Sequence, residues 1–207
     1  MFEHSTCVDM SQSSLETEVK LACGENPLEA HHVGELVVTQ PRHFEDNWLL
    51  DFEDARLCLA DSVVRVRNVN GVGYLTFKGP AHDHPQLKVR EEIEVKTSDP
   101  LATLEILRRL GLKPVFRYQK FRTVYRVRTP TGRTLNAMYD ETPIGNFLEL
   151  EGEEAAIQEM IRRLDVSPES LTKLSYAALY EQKRSAEDGL PEDMIFPQHT
   201  TGGEGGR

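Results

Sequence analysis

Residues 15–21 read Leu15-Glu16-Thr17-Glu18-Val19-Lys20-Leu21. Successive side chains of a β-strand point to opposite faces, so Glu16, Glu18 and Lys20 share one face. Leu15, Thr17, Val19 and Leu21 form the other. One such stretch is what any half-solvated strand shows. Its weight comes from repetition through the first 151 residues. Arg65 and Arg67 alternate with Val64 and Val66, and Tyr74, Thr76 and Lys78 alternate with Leu75 and Phe77. Lys88, Arg90, Glu92, Glu94 and Lys96 oppose Val89, Ile93 and Val95, with Glu91 an exception on the apolar side. Lys120 and Arg122 alternate with Phe121 and Thr123, and Glu149 and Glu151 with Leu148 and Leu150.

An ordinary sandwich would leave these charged faces in water. A barrel with helices packed outside would instead turn its apolar faces outward and gather the charges in a polar lumen. The charges are also sorted by type. Glu16/Glu18, Glu92/Glu94 and Glu149/Glu151 are carboxylate pairs at i, i+2, the ligand chemistry that hard cations such as Mg²⁺ and Mn²⁺ prefer. Arg65, Arg67, Lys78, Arg90, Lys120 and Arg122 are cations suited to phosphate oxygens. One enclosed surface holding both kinds suits a metal-bound polyphosphate.

The bulk properties agree with a globular protein of modest size. The 207 residues fit one domain or two small ones, and 39% hydrophobic with 28% charged content is ordinary. A formal net charge of −10 argues against a generic nucleic-acid or anionic-membrane surface, though a small anion could still bind at a locally basic site. Cys7, Cys23 and Cys58 are odd in number and lack CxxC spacing, so a reducing, cytoplasmic setting is the simplest expectation. Met1–Ser14 has no apolar core of a signal peptide, and no apolar run is long enough to span a bilayer. A homodimer is left open.

Along the chain, residues 1–13 are expected to be flexible, residues 14–183 to form one domain, and residues 184–207 to be a disordered, Gly-rich tail. Strands are predicted over residues 14–22, 48–52, 62–68, 73–78, 86–96, 115–128, 134–140 and 146–151. Asn70-Gly71 is a hairpin turn signal. Asp99 is a plausible cap for a helix over 100–110 that Gly111 stops. Helices are expected over 153–164 and 168–183, and residues 27–36 are ambiguous. Seven or eight strands with few helices predict an antiparallel barrel or sandwich with helices outside.

On these residues the chain resembles the CYTH family, the triphosphate tunnel metalloenzymes. Glu16-x-Glu18-x-Lys20 matches the ExExK hallmark, and the later elements follow in order. They are Asp51, Leu57, Arg65-x-Arg67, Lys78-Gly79-Pro80, Arg90-x-Glu92-x-Glu94, Lys120-x-Arg122 with Tyr125, Asp140, Phe147-Leu148-Glu149-Leu150-Glu151 and Ser175-Tyr176. The resemblance implies an α+β fold, a closed eight-stranded antiparallel β-barrel with helices outside. It also implies Mg²⁺ or Mn²⁺ dependence and a small-molecule triphosphate substrate. Carried over, Glu16, Glu18, Glu149 and Glu151 become metal ligands. Glu92, Glu94 and Asp140 become ligands or holders of metal-bound water. Lys20, Arg65, Arg67, Lys78, Arg90, Lys120 and Arg122 become phosphate contacts, with catalytic roles implied for Lys20 and Lys78.

One departure bears on substrate. Relatives often carry an aromatic pair just before the position of Asp51, where this chain has Leu49-Leu50, which makes thiamine triphosphate a poorer expectation. Tyr74 is not assumed to substitute. The histidines at 31, 32, 82 and 84 have no cysteine at ligand spacing and are taken as loop residues, with His82 and His84 in a mobile loop near a tunnel mouth. Three functions compete. The first is a metal-dependent hydrolase of tripolyphosphate or a nucleoside triphosphate. The second is a class IV adenylyl cyclase that makes cyclic AMP and pyrophosphate from ATP. The third is a noncatalytic polyphosphate- or nucleotide-binding module, disfavoured because pure anion binding gains little from so many carboxylates.

Overall fold

The computed structural model describes residues 14–197. The strands are β1 (Ser14–Cys23), β2 (Glu35–Asp51), β3 (Val63–Val69), β4 (Val72–His82), β5 (Lys88–Thr97), β6 (Lys113–Arg128), β7 (Thr134–Thr142), β8 (Gly145–Gly152) and the short β9 (Leu171–Thr172). The helices are α1 (Pro27–Ala30), α2 (Arg56–Leu59), α3 (Pro100–Arg109), α4 (Glu154–Arg163) and α5 (Tyr176–Ala186). Eight strands run in the order β5-β4-β3-β2-β6-β7-β8-β1, and antiparallel pairing of β1 with β5 closes them into a barrel. With β8 on one side of β1, β9 pairs with Lys20 and Leu21 on the other, past the end of the β5 pairing.

Closure gives the period-2 pattern its meaning. The inward faces are charged, so the apolar faces point out and are covered from outside. Val19, Leu21, Leu148 and Leu150 are buried beneath Ala156, Ile157, Met160 and Ile161 of α4. Leu50, Val66 and Leu112 form a second cluster with Leu104 and Leu107 of α3. A third cluster, Tyr118, Phe147, Tyr176, Tyr180 and Met194, is built on α5 and differs from these, since Tyr118 and Tyr176 line the lumen. Each fully buried aliphatic side chain contributes about 1.5–3 kcal/mol, so the external layers under α4 and α3, rather than the charged lumen, hold the barrel together.

Local chemistry explains several boundaries. Asn70 and Gly71 both have positive φ (52° and 84°), as the hairpin turn that fits strand twist requires. Asp99 accepts hydrogen bonds from the backbone N–H groups of Leu101 and Ala102, with Pro100 at the first helical position. Gly111, at φ 98°, ends α3.

Three expectations need correction. The strand expected over 48–52 is 17 residues long, Glu35–Asp51. Its first half contains Pro41 and register shifts that hide the alternation, and it is held by pairing with β6. The helix expected over 168–183 is instead a 3₁₀ turn at Pro168–Ser170, then β9, then α5 with Ser175 as its N-cap. The tail is not disordered from residue 184. α5 continues to Ala186, and Met194 is fully buried, pairing in parallel with Tyr118. Residues 198–207, like the N-terminal residues 1–13, lie outside the described residues. Among the described residues no helix is long and apolar enough to cross a membrane.

Candidate active site

The lumen is a cavity of about 630 Å³. Thirteen of the fourteen residues singled out from sequence line it: Glu16, Glu18, Lys20, Arg65, Arg67, Lys78, Arg90, Glu92, Glu94, Lys120, Arg122, Glu149 and Glu151. They come from six of the eight barrel strands, so no local segment could have built the site. Eight cationic and six acidic side chains line the wall, an excess of positive charge in a chain whose net charge is −10. A low-dielectric wall strengthens that contrast and draws anions inward.

The charges pair across strands. Lys20 bonds Glu18 at 3.1 Å and Glu149 at 2.8 Å. Lys78 bonds Glu16 at 2.6 Å and Glu92 at 2.7 Å. Arg65 lies 3.4 Å from Glu94 and 3.8 Å from Glu92. Arg122 lies 3.4 Å from Glu149. Burial opposes the charge on Glu149, but Lys20 and Arg122 outweigh it and hold its carboxyl well below the usual range. Burial opposes the charge on Lys20 too, and Glu149 and Glu18 reverse the effect and raise it.

Asp140 corrects the expectation of a metal or water ligand. It does not line the cavity and has no solvent exposure. Its carboxylate accepts from Lys120 at 3.0 Å, from Arg122 twice at 2.6 Å and from the Tyr176 hydroxyl at 2.5 Å. All four of these bonds fix side chains that do line the lumen. The Tyr176 ring sits against Lys20 and Lys120, 5.7 and 5.1 Å from its centroid. Arg90 is also partly committed, donating to the Asp61 carbonyl at 2.8 Å.

The remaining carboxylates have the donor chemistry that a hard divalent cation takes. The donors on β1 and β8 are all carboxylate oxygens, and Glu18 is the register partner of Glu151. Burial and repulsion from Glu16 and Glu149 push the Glu151 carboxyl up to about 7. Burial, with the Glu92 carboxylate beside it, also raises Glu16. This wall is crowded with negative charge that the lysines do not fully neutralise, which is where a cation gains most. Among the described residues no three such side chains converge as a ligand set, and Lys20 and Lys78 hold Glu16, Glu18 and Glu149 in ion pairs.

Four further residues belong to the site. Lys88 lines the lumen, and burial lowers its ammonium to about 8 despite Glu18 at 3.9 Å. Its shared face with Arg90 and Glu92 was a sufficient signal. Tyr118 lines the lumen two residues before Lys120 on the same face. Burial opposes ionisation of its phenol, but Arg65, Lys120 and Arg67 draw it below the ordinary tyrosine value. Glu45 is 1% exposed, with Arg67 at 3.4 Å, Lys120 at 3.5 Å and His43 at 3.4 Å. Asn47 accepts from Arg67 at 3.2 Å. Glu45 and Asn47 were missed because β2 was not recognised as a strand before Trp48. Leu49 lines the lumen, whereas Tyr74 does not. The loop after His82 is tied down: His84 accepts from the backbone N–H of Leu87 at 2.9 Å, and its carbonyl accepts from Lys173 at 2.7 Å.

Comparison with known proteins agrees with this architecture. A Methanocaldococcus jannaschii protein named as a candidate adenylate cyclase is 32% identical over 130 residues, 58% of this chain and 71% of that protein. The structure of a Pyrococcus horikoshii OT3 protein superposes with a TM-score of 0.65 at 26% identity, covering 82% of this chain and 99% of the other. A Hippeastrum protein described as a candidate adenylyl cyclase with a dominant triphosphatase activity superposes with a TM-score of 0.55 at 17% identity, covering 86% of this chain and 97% of that one. The CYTH domain model matches residues 14–175. With most of its length matched and its charged strands closed around one lumen, this chain belongs to the CYTH domain family.

Proposed function

We propose that this protein is a divalent-metal-dependent hydrolase of triphosphate substrates, either inorganic tripolyphosphate or a nucleoside triphosphate. The observation that carries the reading is the joint enclosure of eight cations and six carboxylates around one cavity of about 630 Å³. A site that only bound anions would gain nothing from buried carboxylates, which repel the ligand.

In this reading Arg65, Arg67, Lys78, Lys120 and Arg122 grip phosphate oxygens, replacing their water with preorganised donors. Asp140 and Glu45 keep Lys120, Arg122 and Arg67 in place before substrate arrives. Lys20, between Glu18 and Glu149, ties the carboxylate wall to the phosphate path. Glu16, Glu18, Glu149 and Glu151 would hold Mg²⁺ or Mn²⁺, with Glu92 and Glu94 at the edge. That ion supplies charge neutralisation on phosphate and a more acidic water. Lys78, bonded to Glu16 and Glu92, is placed to neutralise charge on a departing phosphate.

A cyclase reading is favoured by the name of the Methanocaldococcus jannaschii relative. It needs the same clamp, with a ribose hydroxyl rather than water as nucleophile. Purified protein incubated with Mg²⁺ or Mn²⁺ and tripolyphosphate, ATP, GTP or thiamine triphosphate separates the readings by product. Orthophosphate release supports the hydrolase. Pyrophosphate with cyclic nucleotide supports the cyclase. Saturable binding with neither product sinks both and leaves a binding module.

A further inference from the structure

We propose that Tyr118 is a further phosphate-contacting residue of the lumen, and that residues Asp193–Phe196 form a strap that holds it there. The proposal rests on the triphosphate reading above and adds to it the residue Tyr118 and a segment that lies beyond the family match, which ends at residue 175.

The barrel leaves a gap at this point. β6 pairs with β2 along its length, but pairing with β7 begins only at Phe121. The other edge of β6 around residues 117–119 therefore needs a partner, since an unpaired strand edge exposes its N–H and C=O groups. The C-terminal segment supplies it. The Arg117 N–H donates to the Asp193 carboxylate at 2.8 Å, and the Met194 N–H donates to the Arg117 carbonyl at 3.0 Å. The Gln119 N–H donates to the Met194 carbonyl at 2.9 Å, and the Phe196 N–H to the Gln119 side chain at 3.2 Å. These bonds fall on the two residues that flank Tyr118. The strap is itself anchored, because the Tyr180 hydroxyl donates to the carbonyls of Pro191 and Asp193 at 2.9 and 3.2 Å. Met194 is fully buried against the same aromatic cluster as Tyr118.

Alternation along β6 sends Tyr118 inward with Lys120 and Arg122. Its ring packs on Phe116 and Tyr176, at 6.0 and 5.8 Å between centroids. The two lumen tyrosines differ in what their hydroxyls do. That of Tyr176 is committed to Asp140. Tyr118 lines the same cavity wall as Arg65, Arg67 and Lys120, the cations that would hold phosphate, and they are the charges that act on its phenol. A neutral donor among them can bond a phosphate oxygen as charge builds there, which makes it a rate term more than an affinity term.

The test uses full-length chains carrying Tyr118→Phe, Met194→Pro, the milder Asp193→Ala, and the Tyr118→Phe/Asp193→Ala double. Steady-state rates on tripolyphosphate with Mg²⁺ are measured alongside NMR of ring-¹³C tyrosine, the Tyr118 resonance being the one lost in Tyr118→Phe. Tyr118→Phe is expected to lower kcat by about 10- to 100-fold with KM within about threefold. Asp193→Ala and Met194→Pro should lower kcat in the same direction. In the Tyr118→Phe background, Asp193→Ala should cost less than about twofold more, because the strap acts through that tyrosine. Tripolyphosphate should shift the Tyr118 resonance in the wild type and not in Met194→Pro. Wild-type kcat in Tyr118→Phe, or independent multiplicative losses in the double, would overturn the proposal while leaving the hydrolase reading intact. If the wild type hydrolyses no triphosphate, the hydrolase reading falls and the resonance decides alone. A strap-dependent shift sustains the proposal, and no shift overturns it.

Discussion

Replacing Asp140 with asparagine keeps the side chain's shape and removes its charge. The carboxylate has no solvent exposure and accepts from Lys120, Arg122 and Tyr176. Three of those bonds converge on Oδ2, so the new carbonyl would take that place to keep them. The amide NH₂ would then face the Arg122 Nε–H, donor against donor. Arg122 keeps Glu149 at 3.4 Å and Lys120 keeps Glu45 at 3.5 Å, which softens the loss without removing it. Removing one partner of a buried ion pair costs about 3 to 5 kcal/mol. For a chain of this size that lowers the melting temperature by roughly 6 to 20 °C. Tripolyphosphate binding without metal should weaken as Lys120 and Arg122 lose their anchor. The Mg²⁺ midpoint at saturating substrate should stay near wild type, because Asp140 does not face the cavity. Thermal melts by circular dichroism, calorimetric titration and metal-dependent turnover measure the three quantities. An unchanged melting temperature together with a strongly shifted metal midpoint would show that Asp140 is a ligand and that this reasoning is wrong.

Other expectations follow from the same geometry. Glu18→Gln should shift metal dependence and lower kcat by roughly 30- to 1,000-fold, with a far smaller loss of metal-free tripolyphosphate binding; wild-type metal titration and turnover would sink the tunnel mechanism. Arg122→Ala should do the reverse, raising KM for substrate while leaving the metal midpoint in place, as paired titrations of substrate and metal would read. Glu159 accepts from Thr131, Thr129 and Arg163, which hold its carboxyl at about 2, below the ordinary 4.5. Its contribution to stability is therefore complete above about pH 4.5 and fades as pH falls towards 2. Glu159→Gln should flatten the melting temperature across that window, and an unchanged acid profile would argue against the assignment. Gly34 sits at φ 115°, where an added Cβ would lie 2.2 Å from the Arg128 carbonyl oxygen. Gly34→Ala should cost about 2 to 4 kcal/mol from strain and overlap, and a melting temperature within error of wild type would contradict it.

Much of the architecture was legible from short-range chemistry. Strand faces follow from alternation at Glu16/Glu18/Lys20 and Arg90/Glu92/Glu94, the hairpin from Asn70-Gly71, and α3 from Asp99, Pro100 and Gly111. These depend on neighbours two to four residues apart, which the chain displays directly. The sorting of carboxylates and cations named thirteen lumen residues for the same reason.

What remained depended on partners distant in sequence. The first half of β2 carries Pro41 and polar residues that no local pattern marks as strand, and its pairing with β6 makes it one. Pairing of β2 with β6 sets Glu45 opposite Lys120, and pairing with β3 sets Asn47 opposite Arg67, which also reaches Glu45. Asp140 carried the same apparent chemistry as the glutamates. Three donors from two other elements withdraw it from the lumen, and charge alone could not reveal that. The low-apolar composition of the tail pointed to disorder, yet the open edge of β6 supplies backbone partners that composition does not register. Local sequence sets the face on which a side chain lies. Whether that face meets water, a ligand or another buried charge is set by closure of the barrel, because the energies of burial and ion pairing belong to the neighbours it brings together.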